Sequence, residues 1–141
     1  MDYTGIDISE NYIASAKANY GSRGQFLCGD VNNVDIPSAP YDIVVAIGLL
    51  HHLSDDEVSR LAKRIRQLLK PGGRLVTVDG CYTPEQSKIT RYILSKDRGE
   101  HVREASGYTE LVSPYFTTIN TSIRHDLLRI PYTHLIMECV A

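Results

Sequence analysis

The chain has 141 residues, with 15 Lys and Arg against 17 Asp and Glu, for a formal charge of −2. That is one domain's length at roughly 150 residues per domain, and 43% hydrophobic with 23% charged residues excludes a disordered tail. The acidic balance disfavours a general electrostatic binder of nucleic acid, and no apolar run approaches the ~20 residues that span a bilayer.

In chain order, Tyr3–Ile8 is a short β-type run. Ser9 can cap a helix after it, with Tyr12, Ile13, Ala16 and Tyr20 on one side. Gln25–Cys28 is a second strand, closed by Gly29, and Tyr41–Ile47 a third. The centre of that third run is apolar without alternation, which predicts a parallel strand covered on both faces. Ser54-Asp55-Asp56-Glu57 is a capping box. Val58, Leu61, Ile65, Leu68 and Leu69 follow at helical spacing until Pro71-Gly72-Gly73 ends the helix. Arg74–Asp79 is a fourth strand and Glu85–Leu94 a helix with Ile89, Tyr92 and Ile93 as its apolar side. After a polar stretch, Tyr108–Phe116 predicts a short helix. Ile119–Leu128 and Tyr132–Val140 predict an antiparallel hairpin.

Strands alternating with helices and a terminal hairpin predict an α/β fold with a mostly parallel sheet. Ligands in such folds bind beyond the carboxyl ends of the strands. The residues there are Asp7-Ile8-Ser9, Gly29-Asp30-Val31, Gly48 to Leu53, and Asp79-Gly80-Cys81-Tyr82. A single loop acid usually caps a turn; the order and spacing of the set carry the argument.

That set, with Tyr41-Asp42-Ile43-Val44-Val45, His51-His52-Leu53 and Leu69-Lys70-Pro71-Gly72-Gly73-Arg74-Leu75, resembles a class I S-adenosylmethionine-dependent methyltransferase. The later Asp97–Arg103 stretch resembles a subgroup of small bacterial members. The resemblance implies a Rossmann-like, mostly parallel sheet with a C-terminal antiparallel hairpin, and S-adenosylmethionine as cofactor. It implies that Asp7 holds the ribose hydroxyls and Ile8 packs on the adenine. Asp30 would accept from the adenine amino group, with the Val31 amide at a ring nitrogen. Gly48 and Leu49 would lie beside the methionine portion. His51 and His52 would stand near the methyl group or the acceptor, with Tyr82 able to hydrogen-bond a polar acceptor.

The family's glycine-rich GxGxG loop and the strand before it have no counterpart here, so residues 1–141 read as a single truncated methyltransferase domain with the first βα unit missing. The strands at Tyr3–Ile8 and Asp42–Ile47 then either pair, leave a gap, or have the gap covered by another chain, as in a homo-oligomer. The expected function is methyl transfer to a small-molecule acceptor, with a His as base where the acceptor is protonated. Arg98, His101 and Arg103 lie where a substrate is expected. Two guanidiniums would suit an anionic acceptor, unless Asp97, Glu100 and Glu104 pair with them locally.

Other readings have less support. A methyltransferase fold kept only as a binding module would explain the missing glycine-rich loop, but not the acids at every strand end. Tyr92 and Lys96 match the YxxxK of short-chain NAD(P)-dependent dehydrogenases, yet no serine stands about a dozen residues before Tyr92. Arg60, Lys63, Arg64, Arg66 and Lys70 read as a solvated helix face. Cys28, Cys81 and Cys139 form no CxxC, so no metal site and a reduced, cytoplasmic protein are expected. The first ten residues show no signal-peptide pattern.

Overall fold

The structure is a computed structural model that describes residues 2–37, 40–97 and 99–141. The chain divides into two compact units, Met1–Ser38 and Ala39–Ala141.

The first unit is a strand-helix-strand. β1 (Thr4–Asp7) and β2 (Gln25–Cys28) pair in parallel, with Thr4 beside Gln25 and Asp7 beside Cys28. Between them runs α1 (Glu10–Tyr20), capped by the Ser9 hydroxyl, which accepts from the Tyr12 amide. Only Ile13 of the expected apolar side is buried. Tyr12 and Tyr20 are exposed, because a two-stranded sheet is too narrow to cover a whole helix face.

The second unit holds the larger sheet, in the order β3 (Tyr41–Ile47), β4 (Leu69–Tyr82), β7 (His134–Val140), β6 (Thr118–Arg124). β3 runs parallel to β4, and β7 is antiparallel to both β4 and β6. The two-residue β5 (Arg103–Glu104) adds in parallel beside Cys81 and Tyr82. The mostly parallel α/β sheet and its terminal antiparallel pair are therefore as predicted. β1 and β3 lie in separate sheets, and no ladder joins them among the described residues.

α2 (Asp55–Leu68) begins as its sequence dictates. Glu57 Oε2 accepts from both the amide and the hydroxyl of Ser54, at 2.9 and 2.7 Å. Those bonds hold the Glu57 carboxyl below its usual range. The helix buries Val58, Leu61, Ala62 and Ile65 against β4 and α4 (Ala105–Val112). The sheet side beneath it carries Leu75, Thr77 and Asp79 of β4, in register with Cys139, Met137 and Leu135 of β7, all buried. On the alternate side, β3 is not covered as predicted. Ile43, Val45 and Ile47 are exposed, while Ala46, which points to the opposite face, is buried.

α3 (Lys88–Ser95) is capped by Ser87, whose hydroxyl accepts from the Thr90 amide at 3.1 Å. Its buried residues are Thr90 and Leu94, while the predicted Ile89 and Tyr92 are exposed. Leu94 is drawn in because the neighbouring strand carries Gly80, which leaves room for it. Tyr92 and Lys96 lie outside, with the ammonium over the ring at 5.7 Å. No helix among the described residues is long and apolar enough to cross a membrane.

Candidate functional site

In the second unit, the chain leaves β3 through Gly48, whose φ of +61° is a left-handed conformation that glycine adopts without strain. Its amide donates to the Val78 carbonyl at 2.8 Å, which ties the corner to β4. Leu49 follows, half-buried, and a single 3₁₀ turn, Leu50–His52, carries both histidines. His51 points inward and is 5% exposed; His52 lies outside, its ring 4.2 Å from that of His51.

His51 meets Asp79, a buried residue near the carboxyl end of β4. Its Nδ1 lies 2.9 Å from Asp79 Oδ1, and its backbone amide donates to the same oxygen at 3.2 Å. A carboxylate only accepts, so Nδ1 carries the ring proton and Nε2 is left as the basic nitrogen. Nε2 has no hydrogen bond among the described residues. Asp79 is 2% exposed, and its Oδ2 is buried without a partner. Two tyrosines pack nearby. Tyr108 Oη donates to the Gly80 carbonyl at 2.9 Å and accepts from the Arg103 amide, while Tyr132 Oη bonds Asp97. Burial raises both phenols far above the usual range, so they stay neutral hydrogen-bonding groups.

Arg103 is brought here, but to the protein's own groups. Its Nε and Nη2 donate to Asp55 Oδ1, Nη1 to the Leu50 and His101 carbonyls, and Nη2 also to the Leu53 carbonyl. These contacts use all five N–H donors of a guanidinium and leave none for an anionic acceptor. The local partner is Asp55, not the expected Asp97, Glu100 or Glu104. His101 is half-buried, and its amide donates to the His51 carbonyl at 3.0 Å. Arg98 lies outside the described residues. Tyr82 is half-buried three residues past Asp79, with the Arg91 guanidinium 4.9 Å over its ring.

In the first unit, Asp7 ends β1, and one of its oxygens accepts from the Ser9 amide at 2.7 Å. Its Oδ2 has no hydrogen bond among the described residues. Ile8 follows and is 76% exposed. Asp30 closes a turn after β2: Oδ1 accepts from the Asn32 amide and Oδ2 from the Asn33 side chain, while its carbonyl accepts from Asn33 and Val34. Val31 is half-buried.

His51 follows the end of β3, and Asp79, named in the sequence among the strand-end residues but given no role there, lies three residues before the end of β4. The signal was present, since an acid directly follows the apolar run of β4. A hollow of about 490 Å³ also opens in the second unit, between the start of α3 and the ends of β6 and β7. Thr83, Ser87, Thr90 and Thr133 put hydroxyls on its wall, with Glu85 and His125. Among the described residues, no group of His, Cys, Asp and Glu could hold a metal ion.

The chain is similar to known proteins. The family model for a methyltransferase domain matches residues 1–73. An uncharacterized methyltransferase of Geobacillus sp. (strain WCH70) is 28% identical over 116 residues, covering 82% of this chain and 53% of that protein. The 27-O-demethylrifamycin SV methyltransferase of Amycolatopsis mediterranei is 38% identical over 92 residues, covering 61% of this chain and 33% of that protein. The crystal structure of an S-adenosylmethionine-dependent methyltransferase from Methanosarcina mazei superimposes with a TM-score of 0.74 at 16% identity, covering 99% of this chain and 81% of that one. The chain spans about half the length of the Geobacillus relative. With the family model matching residues 1–73 of 141 and the fold shared throughout, this chain belongs to the methyltransferase-domain family.

Proposed function

We propose that the chain carries out S-adenosylmethionine-dependent methyl transfer to an oxygen or nitrogen of a small-molecule acceptor, with His51 as the base. The observation that carries this reading is the buried His51–Asp79 pair at the carboxyl end of β4.

The residues of the first unit fit the adenosine part of the cofactor. Ile8 offers an exposed apolar side chain to a flat base, and Asp7 retains an oxygen for ribose hydroxyls. Asp30 and Val31 are the candidates for the adenine edge, and Gly48 with Leu49 for the methionine portion. When bound, the cofactor supplies a methyl group already activated by its sulfonium, so the protein's work is orientation and proton removal. His51 Nε2 takes the proton from an acceptor hydroxyl or ammonium as the nucleophile is used. Asp79 keeps Nδ1 protonated and stabilises the imidazolium that results. Tyr82 and His52 remain candidates for contact with the acceptor.

The acceptor group proposed here is a hydroxyl or amine, and Arg103 is not what would hold an anionic part of the acceptor. The Arg103 donors are already spent. Relatives bear names with acceptor atoms of both kinds: nitrogen for a phosphoethanolamine N-methyltransferase of Arabidopsis thaliana, whose acceptor also bears a phosphate, and oxygen for the 27-O-demethylrifamycin SV enzyme. The test is calorimetric titration with S-adenosylmethionine, followed by transfer of labelled methyl to a panel of phenols, alcohols and amines. Binding with transfer that His51→Gln abolishes is the expected result. Binding without transfer to any of the panel points to a binding module, and no binding at all overturns the reading.

A further inference from the structure

We propose that residues 99–103 form a strap that holds the His51 imidazole on Asp79, and that Gly99 is a positioning residue for that ring. The inference rests on His51 being the base.

The strap meets the 3₁₀ turn at three residues, Gly99, His101 and Arg103, and turns at Glu100 and His101. Gly99 packs against the His51 ring itself. A Cβ built there would lie 2.0 Å from Cδ2, 2.9 Å from Cγ and 2.8 Å from the His51 carbonyl oxygen. His101 donates its amide to that carbonyl at 3.0 Å. Arg103 then clamps the carbonyls of Leu50 and Leu53, on either side of the histidines, at 3.1 and 2.7 Å. Glu100, between these contacts, is exposed.

The space that a side chain would need at Gly99 is already taken. The space is taken by a ring that has little freedom to yield. On its far edge, Nδ1 is fixed at 2.9 Å from Asp79. Moving the ring away from a methyl at position 99 means lengthening or turning that bond. A strap that merely covered the turn would need backbone contacts but no glycine against the imidazole.

The ring's tautomer reports this directly in the chain itself. With Nδ1 donating to Asp79, long-range ¹H–¹⁵N spectra recorded above the ordinary histidine range of ~6.5 show one tautomer for His51, protonated at Nδ1. The signal is assigned by its loss in His51→Gln. Gly99→Ala is expected to give a mixture of both tautomers, with the amide spectrum otherwise retained, while Glu100→Gln leaves the ring unchanged. Should Gly99→Ala fail to fold, Arg103→Lys serves the same purpose. Its three donors cannot hold Leu50, Leu53, His101 and Asp55 together, and a mixed tautomer is again expected.

A single Nδ1-protonated tautomer in Arg103→Lys and in any folded Gly99→Ala overturns the strap's role. A wild-type ring without that tautomer overturns this inference together with His51 as the held base. Absence of methyl transfer, with the tautomer present in the wild type and lost in the variants, overturns the proposed activity alone.

Discussion

Arg103 and Asp55 are 48 residues apart, yet Nε and Nη2 of the one both donate to a single carboxylate oxygen of the other, at 2.9 and 2.7 Å. The bond joins the strap to the first turn of α2. Asp55 is largely exposed, so the ion pair by itself contributes little. The carbonyl bonds beneath it matter more.

Arg103→Ala removes the donor that holds the Leu53 carbonyl. A hydrogen bond to a charged group is worth about 1.5–3 kcal/mol, and at least that loss of stability is expected. Asp55→Ala should cost much less. Urea unfolding of the two variants measures the difference, and equal midpoints would contradict the assignment.

Asp7→Ala should weaken S-adenosylmethionine binding by roughly 10- to 150-fold, from about 1.5–3 kcal/mol for a hydrogen bond to a carboxylate. Calorimetry reads the affinity, and circular dichroism checks that α1, whose entry Asp7 also braces, is intact. Unchanged affinity would leave Asp7 as a turn residue only.

His51→Gln should lower turnover of a hydroxyl acceptor by ~10²–10⁴-fold, the usual contribution of a general base. Its effect on cofactor affinity should be small. A variant with full turnover would remove His51 from the chemistry.

Cys81 and Cys139 are buried, and burial pushes both thiols up to about 11. Cys28 is exposed. A thiol reagent near neutral pH should therefore modify one cysteine in the native protein and the other two only on unfolding. Rapid modification of all three would contradict the packing of β4 against β7.

His134 is held below its ordinary range, chiefly by desolvation, and its Nδ1 is buried without a partner. The folded state thus binds fewer protons than the unfolded state just below the ordinary histidine value of ~6.5. Stability should rise with pH through that window and fall on acidification. His134→Gln should flatten this part of the profile in thermal melts across the window. An unchanged slope would exclude His134 as its source.

Much of this protein is legible in its sequence. Gln25–Cys28 and Tyr41–Ile47 form strands at the limits their residues predict, and Ser54 with Glu57 starts α2 where the capping box predicts. These are local effects, set by side chains within a few residues of one another. The acids and histidines at the strand ends are also visible, because a parallel sheet brings its carboxyl ends to one side. What the chain does with them is decided by contacts at long range. Ile89 and Tyr92 share a helix side, but Thr90 and Leu94 are the residues that β4 draws inward, beside a glycine. Asp79 reaches His51 only because β3 and β4 pair Ile47 with Val78. Arg103 reads as an anion binder in a polar loop, but the fold surrounds it with carbonyls that only a guanidinium can satisfy together. Spacing along a chain fixes which residues point the same way. Which groups they meet depends on the register between strands, and that register is a property of the whole sheet.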